Sequence, residues 1–581
     1  MRSPALVPME FDREFRPHSQ IRALLASRRT RYILGAVALL SFVTAFFAFS
    51  GPEPFLRSGS TYDVETDVPP PPTPHDWPRP GSPPPKLSSE TSGDPVWRER
   101  ADRVKDAFVT AYTAYEKAAF PHDELLPVSN GHSDHFNGWG ATLVDSLDTM
   151  ILMGLDDLSN KTVGYIAQFT FDDDQYVQFF ETVIRYLGGF LSAYALSGNP
   201  IFLTRADDLG RRLLPAFNTQ SKLPAFAVNV QKGVPRNGWA GNVALLSEAS
   251  SCQMEYRYLA HLTGRPEYIK AVDYVTDLMH QHEEEGGLYA LMFNLNNGEP
   301  ANMMYSVGAM ADSAYEYLLK QWLMTGRTEP KFLHMYMRSA NAIIEKLLYL
   351  SPSRQLLYVT DVHRGSLLPV GDFQHLSCFI GGLFALGAAT IPNVDPRHAW
   401  AAEGLAHTCW VTYADMPTGL GPEKVMFANH GTKWVDALDA WEKSGRPGAV
   451  PPGVNQTNPV KPGEDKEYRI TDSRYLLRPE TIESFYILWR TTGESKWRDR
   501  GWAIFDAIEK HMKTKYAYGS IANVNQIPPA LSDDMPTLKY AYLLFTDEDI
   551  VPLDKWTFNT EAHPFPTFEW SDWEKNYFEI S

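Results

Sequence analysis

The sequence predicts an all-helical body built from repeated hairpins, and two observations carry that expectation. Apolar residues recur at three- and four-residue spacing through 146–155, 179–195 and 314–324, the period of one face of a helix. Leu196-Ser197-Gly198, Leu262-Thr263-Gly264, Met324-Thr325-Gly326 and Thr491-Thr492-Gly493 each close an apolar, aromatic-rich run. A glycine at that point takes the left-handed conformation that stops a helix and turns the chain. The first three endings recur roughly every 60 to 66 residues, about the span of helical hairpins with their loops, and Ala385-Leu386-Gly387 falls near the next expected position. Stacked hairpins make either an open solenoid or a closed α/α toroid. The repeat alone does not choose between them.

Taken in order, the 581 residues divide into four segments. Residues 1–31 form a short tail ending in Arg28, Arg29 and Arg31. Residues 32–50, YILGAVALLSFVTAFFAFS, carry no charge and match the length of a membrane-crossing helix. The arginines before it place the tail in the cytosol and the rest in a lumen. The run is long for a cleaved signal peptide and starts late, which predicts an uncleaved anchor. Residues 51–95, with Pro69-Pro70-Pro71-Pro72 and Pro83-Pro84-Pro85, read as an extended stem with too little apolar surface to fold. Residues 96–581 form the body, in which the Pro- and Gly-rich stretch 444–466 reads as a surface insertion between helices.

At 44% hydrophobic and 21% charged, the chain can bury a large core. A net charge of -17 argues against nucleic acid as a partner and suits a neutral, sugar-like ligand. Three cysteines, Cys252, Cys378 and Cys409, are too few for a cysteine-rich zinc site, but a lumenal address permits one bridge. Asn160-Lys161-Thr162 and Asn455-Gln456-Thr457 are acceptor triplets for N-glycosylation at Asn160 and Asn455. HExxH, P-loop and GxSxG patterns are absent, so zinc proteases, nucleotide hydrolases and the common serine esterases find no support.

Several acidic residues admit both a structural reading, as surface ion pair, helix cap or first-turn acid, and a chemical one. Glu181 and Arg185 lie four apart on one face of a strongly apolar helix, acid before base. Buried together, they would tune a carboxyl for proton donation. Asp312 follows Gly308-Ala309-Met310-Ala311 at a helix start, where an N-cap aspartate is the plain reading. Glu480 and Glu483 begin a helix after Pro479, with Arg478 just before it; two acids in a first turn complement the helix dipole and make a charge-dense site. In Phe558-Asn559-Thr560-Glu561-Ala562-His563-Pro564, Thr560 offers carbonyl and hydroxyl oxygens to a hard cation, and Glu561 can hold the waters of its shell.

Leu477-Arg478-Pro479-Glu480-Thr481-Ile482-Glu483-Ser484, Phe180-Glu181-Thr182-Val183-Ile184-Arg185-Tyr186-Leu187-Gly188-Gly189 and the Thr560 segment together resemble class I α-mannosidases, glycoside hydrolase family 47. The matching motifs run from about Gly138 to Pro564. The resemblance implies closure into an (α/α)7 barrel and an inverting, calcium-dependent α-1,2-mannosidase that trims high-mannose N-glycans as a monomer in the endoplasmic reticulum or Golgi. Inversion needs one carboxylic acid and one water-activating carboxylate. The resemblance implies Glu480 as general base, Glu181 as general acid, and Asp312 as an alternative acid or a transition-state support. Arg185, Glu248, His375, Arg478, Glu483 and Glu561 would line the sugar subsite, Thr560 would hold the calcium ion, and Cys378 would pair with Cys409.

Three departures from the family pattern stand out. Met310 and Gln374 replace an arginine and an aspartate of the endoplasmic-reticulum type, which points to broader, Golgi-type trimming. The stretch Asp533-Asp534-Met535-Pro536-Thr537-Leu538-Lys539-Tyr540 is about seven residues short of the pattern and lacks its aromatic platform and glutamate. A weakened or inactive, lectin-like glycan binder is therefore the alternative expectation.

Overall fold

The computed structural model describes residues 94–427, 431–454, 457–461, 463–533 and 538–580. Among these, fourteen helices form seven pairs: α1 (Pro95–Ala118), α2 (Leu147–Leu152), α3 (Asp156–Ile166), α4 (Gly188–Ser197), α5 (Pro200–Leu213), α6 (Gln253–Thr263), α7 (Pro266–Gln281), α8 (Asp312–Met324), α9 (Pro330–Lys346), α10 (Phe379–Thr390), α11 (Pro396–Ala414), α12 (Glu480–Thr492), α13 (Lys496–His511) and α14 (Lys539–Phe545). The even-numbered helices are buried along most of their length. A helix that is apolar all round has to be enclosed, whereas the amphipathic odd-numbered helices cover the outside.

The buried helices pack in chain order from α2 to α14, and each rests on an outer partner, α14 on α1. The series closes on itself. Lys539 of α14 places Nζ 2.7 Å from Asp148 Oδ1 of α2, so the hairpins make a ring and not an open solenoid. Both groups are nine-tenths or more buried, and His563 Nδ1 lies 2.7 Å from Asp148 Oδ2. Burial alone would raise the Asp148 carboxyl, but Lys539 and His563 outweigh it and hold it well below the usual carboxylate range.

Gly198, Gly264 and Gly493 end their helices at φ values of 69°, 70° and 73°, as expected. Gly387 does not. It lies inside α10, where a Cβ would come within 2.2 Å of Tyr336 Oη, so the glycine marks close packing and not a stop. Segment 179–195 is not one regular helix either: a turn, Phe179–Glu181, passes through a π-helical stretch, Thr182–Leu187, into α4. Residues 444–450 are exposed, as a surface insertion requires, while Asn455 lies outside the described residues. Cys378 and Cys409 form the expected disulfide between the starts of α10 and the body of α11, and Cys252 is a buried thiol.

Short strands were not legible in the sequence. They occupy the loops that lead into the buried helices, as in Tyr176–Gln178, Val243–Leu245, Met304–Tyr305, Asp372–Gln374 and Tyr468–Asp472. Another pair, Trp556–Phe558 and Pro564–Pro566, makes an antiparallel hairpin with Phe558 opposite Pro564, and its tip enters the ring. Asn559 anchors that tip. Its Nδ2 donates to Ile184 O (2.9 Å) and Glu255 Oε1 (2.7 Å), and its Oδ1 accepts from the amides of Glu561 (2.9 Å) and His563 (2.8 Å). Gly188 follows from this contact, since a Cβ there would stand 2.6 Å from Asn559 Nδ2, while a Cβ on Gly189 would stand 2.9 Å from Val144.

No helix among the described residues is long and apolar enough to cross a membrane, and the anchor expected at 32–50 lies outside them, with most of the stem. Closure by a buried ion pair makes a test of the ring. Lys539→Met leaves the Asp148 charge with only His563 and is expected to destabilise the protein by about 3–5 kcal/mol. Urea denaturation of the purified protein measures it, and adding Asp148→Leu is expected to recover part of the loss.

Candidate active site

The loops that enter the buried helices bring the acidic residues to one end of the ring. Glu181 precedes α4, Glu248 lies in the turn Leu246–Ala249 before α6, Asp312 is the first residue of α8, His375 lies in the turn His375–Cys378 before α10, and Glu480 opens α12. Helix N-termini carry partial positive charge, which favours carboxylates collected there. Asp312 sits one residue inside the helix and not at its cap: Ala311 is the cap, and the Ser313 amide donates to Asp312 Oδ1 at 2.8 Å.

On one side, Arg185 gathers three acids. Its Nε is 2.9 Å from Glu181 Oε2, and its terminal nitrogen is 2.9 Å from Glu561 Oε2 and 3.7 Å from Asp145 Oδ2. Burial by itself would weaken the guanidinium's hold on its proton, but Glu561, Glu181 and Asp145 outweigh it and raise the pKa. Glu561 is nonetheless pushed up to about 7, by burial and by Asp145 and Glu181 against Arg185. Glu248 also rises to about 7, through burial and the Glu181 charge.

On the other side, Asp312 is pushed up to about 7, first by burial and then by Glu316 and Glu480. Glu480 Oε2 is buried, makes no hydrogen bond with described residues, and lies 3.4 Å from His375 Nδ1. His375 Nε2 bonds the Tyr413 hydroxyl. Arg478 donates to Glu423 Oε2 at 2.7 Å. Glu483 accepts from the Tyr540 hydroxyl at 3.1 Å and from Lys320 at 3.4 Å, and burial pushes it up to about 7 against the Lys320 charge.

The hairpin tip joins the two sides. Tyr317 Oη donates to Glu255 Oε1 at 2.8 Å and accepts from the Thr560 amide at 3.3 Å. Thr560 is half-buried, and neither its hydroxyl nor its carbonyl oxygen takes a hydrogen bond from any described residue. Two free oxygens on one residue fit a hard, oxygen-seeking cation. Among the described residues no three His, Cys, Asp or Glu side chains form a metal-holding group, so water and ligand oxygens would have to fill the remaining positions.

Asn160 is exposed on α3, away from this constellation, with the Thr162 hydroxyl buried against Tyr112. Residues 534–537, where the sequence is short of the family pattern, lie outside the described residues. Sequence reasoning missed Asp145, Asp148, Glu255, Glu316, Tyr317, Lys320, Glu423, Lys539, Tyr540 and His563. The run Val144-Asp145-Ser146-Leu147-Asp148-Thr149 and the lysine inside the apolar α8 carried a signal, a charge in a segment with no wet face. Glu423 carried none, because only the fold brings it to Arg478.

Mannosyl-oligosaccharide alpha-1,2-mannosidase IA of Drosophila melanogaster is 37% identical over 488 residues, spanning 81% of this chain and 68% of that protein. Mannosyl-oligosaccharide 1,2-alpha-mannosidase MNS1 of Arabidopsis thaliana is 35% identical over 496 residues, 83% of this chain and 81% of its own. The solved structure of alpha-1,2-mannosidase from Trichoderma reesei superposes with a TM-score of 0.71 at 32% identity, covering 81% of this chain and 99% of that one. The profile of Glycosyl hydrolase family 47 matches residues 107–567. With a ring of helical hairpins, acids gathered at one end and relatives of this similarity, the chain belongs to glycosyl hydrolase family 47.

Proposed function

We propose that this protein removes terminal α-1,2-linked mannose from high-mannose N-glycans, with inversion and with calcium bound at Thr560. The observation that carries the reading is the placement of Glu181 and Glu480 across the ring. In the order α2, α4, α6, α8, α10, α12, α14, the helix that Glu181 leads into and the helix that Glu480 opens stand four steps apart one way and three the other. An inverting hydrolase needs its acid and its base on opposite faces of the sugar, with a water beside the base.

Glu480 is the base of this reading. Its Oε2 is buried 3.4 Å from His375 Nδ1 without a protein hydrogen bond, and the carboxylate takes a proton from water in this reading. Glu181, oriented by Arg185, delivers a proton to the leaving oxygen from the far side. Asp312 lies between them and, pushed up to about 7, keeps a proton near neutrality, which supports it as a hydrogen-bond donor in the transition state or as the alternative acid. A calcium ion held by Thr560 would supply Lewis-acid binding of sugar hydroxyls. His375, Arg478, Glu248, Glu483 and Glu561 line the subsite around it.

The body adopts the (α/α)7 barrel, preceded by a membrane anchor at 32–50 and a stem at 51–95, which places the catalytic domain 96–581 in the lumen of the secretory pathway as a type II protein. Rat and human relatives carry names that place them in the endoplasmic reticulum. Gln374 Oε1 accepts from the Ala309 amide at 3.1 Å, so the two uncharged replacements, Gln374 and Met310, adjoin each other. A rim without those charges supports broad branch preference. The lectin reading keeps one specific support, the short stretch before Leu538.

Purified protein is expected to release mannose from a high-mannose glycan and to lose that activity in a calcium chelator; glycan binding without release would establish the lectin instead. Activity should fall as pH rises through about 7, because a donor that must be protonated is lost above its pKa. Glu181→Gln and Asp312→Asn separate the two candidate acids. The variant of the true acid is expected to lose about 100- to 10,000-fold on the natural glycan but to recover on an aryl mannoside whose leaving group needs no proton.

A further inference from the structure

We propose that Phe136 is a positioning residue for the Glu181–Arg185 pair, and that buried Asp123 holds it in place. This rests on the reading of Glu181 and Arg185 as groups of the sugar site. The Arg185 guanidinium carbon stands 4.5 Å from the centre of the Phe136 ring. Its edges are taken by Glu181, Glu561 and Asp145. Carboxylates at the edge and an aromatic ring on the face fix the plane of a guanidinium more tightly than either contact alone.

The ring is not held by packing alone. Asp123 has no exposure to solvent, and its carboxylate accepts four hydrogen bonds. Its Oδ2 takes the amides of Phe136 (2.8 Å) and Gly138 (2.7 Å), and its Oδ1 takes the amide of Ala141 (3.0 Å) and the Tyr186 hydroxyl (2.8 Å). The same Tyr186 hydroxyl lies 2.5 Å from the Phe136 carbonyl oxygen. Tyr186 follows Arg185 directly in the π-helical stretch Thr182–Leu187, so one hydroxyl ties the loop to the element that carries the arginine. Asn137 adds a second tie, donating from Nδ2 to Thr182 Oγ1 at 3.1 Å.

A carboxylate that accepts four N–H and O–H groups organises a loop with positive φ at Asn137, Gly138 and Gly140, which has no regular structure of its own. The consequence lies on the ring face it presents. Without Phe136 the guanidinium gains room to swing away from Glu181 toward Asp145, and the proton donor loses its orientation. Displacements of that size are costly in a site that works by alignment.

Phe136→Leu keeps apolar bulk and removes the π face; Phe136→Tyr keeps both. In the full-length protein, Phe136→Leu is expected to lower kcat about tenfold with an unchanged melting temperature, while Phe136→Tyr stays close to wild type. Asp123→Asn, which removes one acceptor oxygen, is expected to lower kcat in the same direction. Wild-type activity in Phe136→Leu, or an equal loss in Phe136→Tyr, would overturn the proposal. Crystals of the variants test it apart from catalysis: in Phe136→Leu the Arg185 Nε is expected to leave Glu181, and an unmoved Arg185 counts against the inference. Absence of mannose release by the wild-type protein, by contrast, speaks against the proposed function while the crystal comparison still decides the role of Phe136.

Discussion

The structure depends on keeping an excess of carboxylate tolerable inside the ring. Glu181, Glu561 and Asp145 share Arg185; Glu316 and Glu483 share Lys320; Asp148 has Lys539 and His563. An unpaired buried charge costs several kcal/mol, so each cation is as necessary to folding as to the site. The pairs also bridge separate helices. Lys320 of α8 reaches Glu483 of α12, and Lys539 of α14 reaches Asp148 of α2. Electrostatic satisfaction and closure of the ring are therefore one requirement.

The hairpin tip makes this arrangement specific. Asn559 spends both donors and its acceptor oxygen on four partners, among them Ile184 of the π-helical stretch and Glu255 of α6. A buried amide saturated in this way permits one position of the tip, since any shift leaves polar groups unpaired. Thr560 is held beside it by its amide, and its hydroxyl and carbonyl oxygens take no hydrogen bond from a described residue. The same bonds that seat a late segment of the chain in the barrel thus fix the position of Thr560. Gly188 is the complement on the wall, absent of side chain where the asparagine passes.

How much of this could be read in advance depended on how local each signal was. The stops at Gly198, Gly264 and Gly493 are set by residues within one turn and were legible. Gly387 was misread because its glycine answers to Tyr336 on another helix, a contact with no trace in the neighbouring sequence. The Glu181–Arg185 pair showed in its four-residue spacing, but the partners Glu561 and Asp145 come from distant segments. Asp312 looked like a cap and is the first helical residue instead, because Ala311 takes the cap and Asp312 turns its carboxyl back on the Ser313 amide. The short strands in the entry loops are two to five residues each, below the length at which alternation identifies a strand.

Protonation completes the electrostatic argument. Glu248, Glu255, Asp312, Glu483 and Glu561 are all pushed up to about 7, in each case with burial as the largest cause. Burial disfavours the charged form of each, so each keeps its proton to higher pH than an exposed carboxyl would. Near neutrality the interior of the ring therefore holds several partly protonated carboxyls. A divalent cation beside Thr560 would favour the ionised forms of the acids around it, so binding it and releasing protons are linked. The hydrogen-bonded tip and the cations that divide the acids act on the same residues, since Glu561 adjoins Thr560 in the tip and shares Arg185 with Glu181 and Asp145.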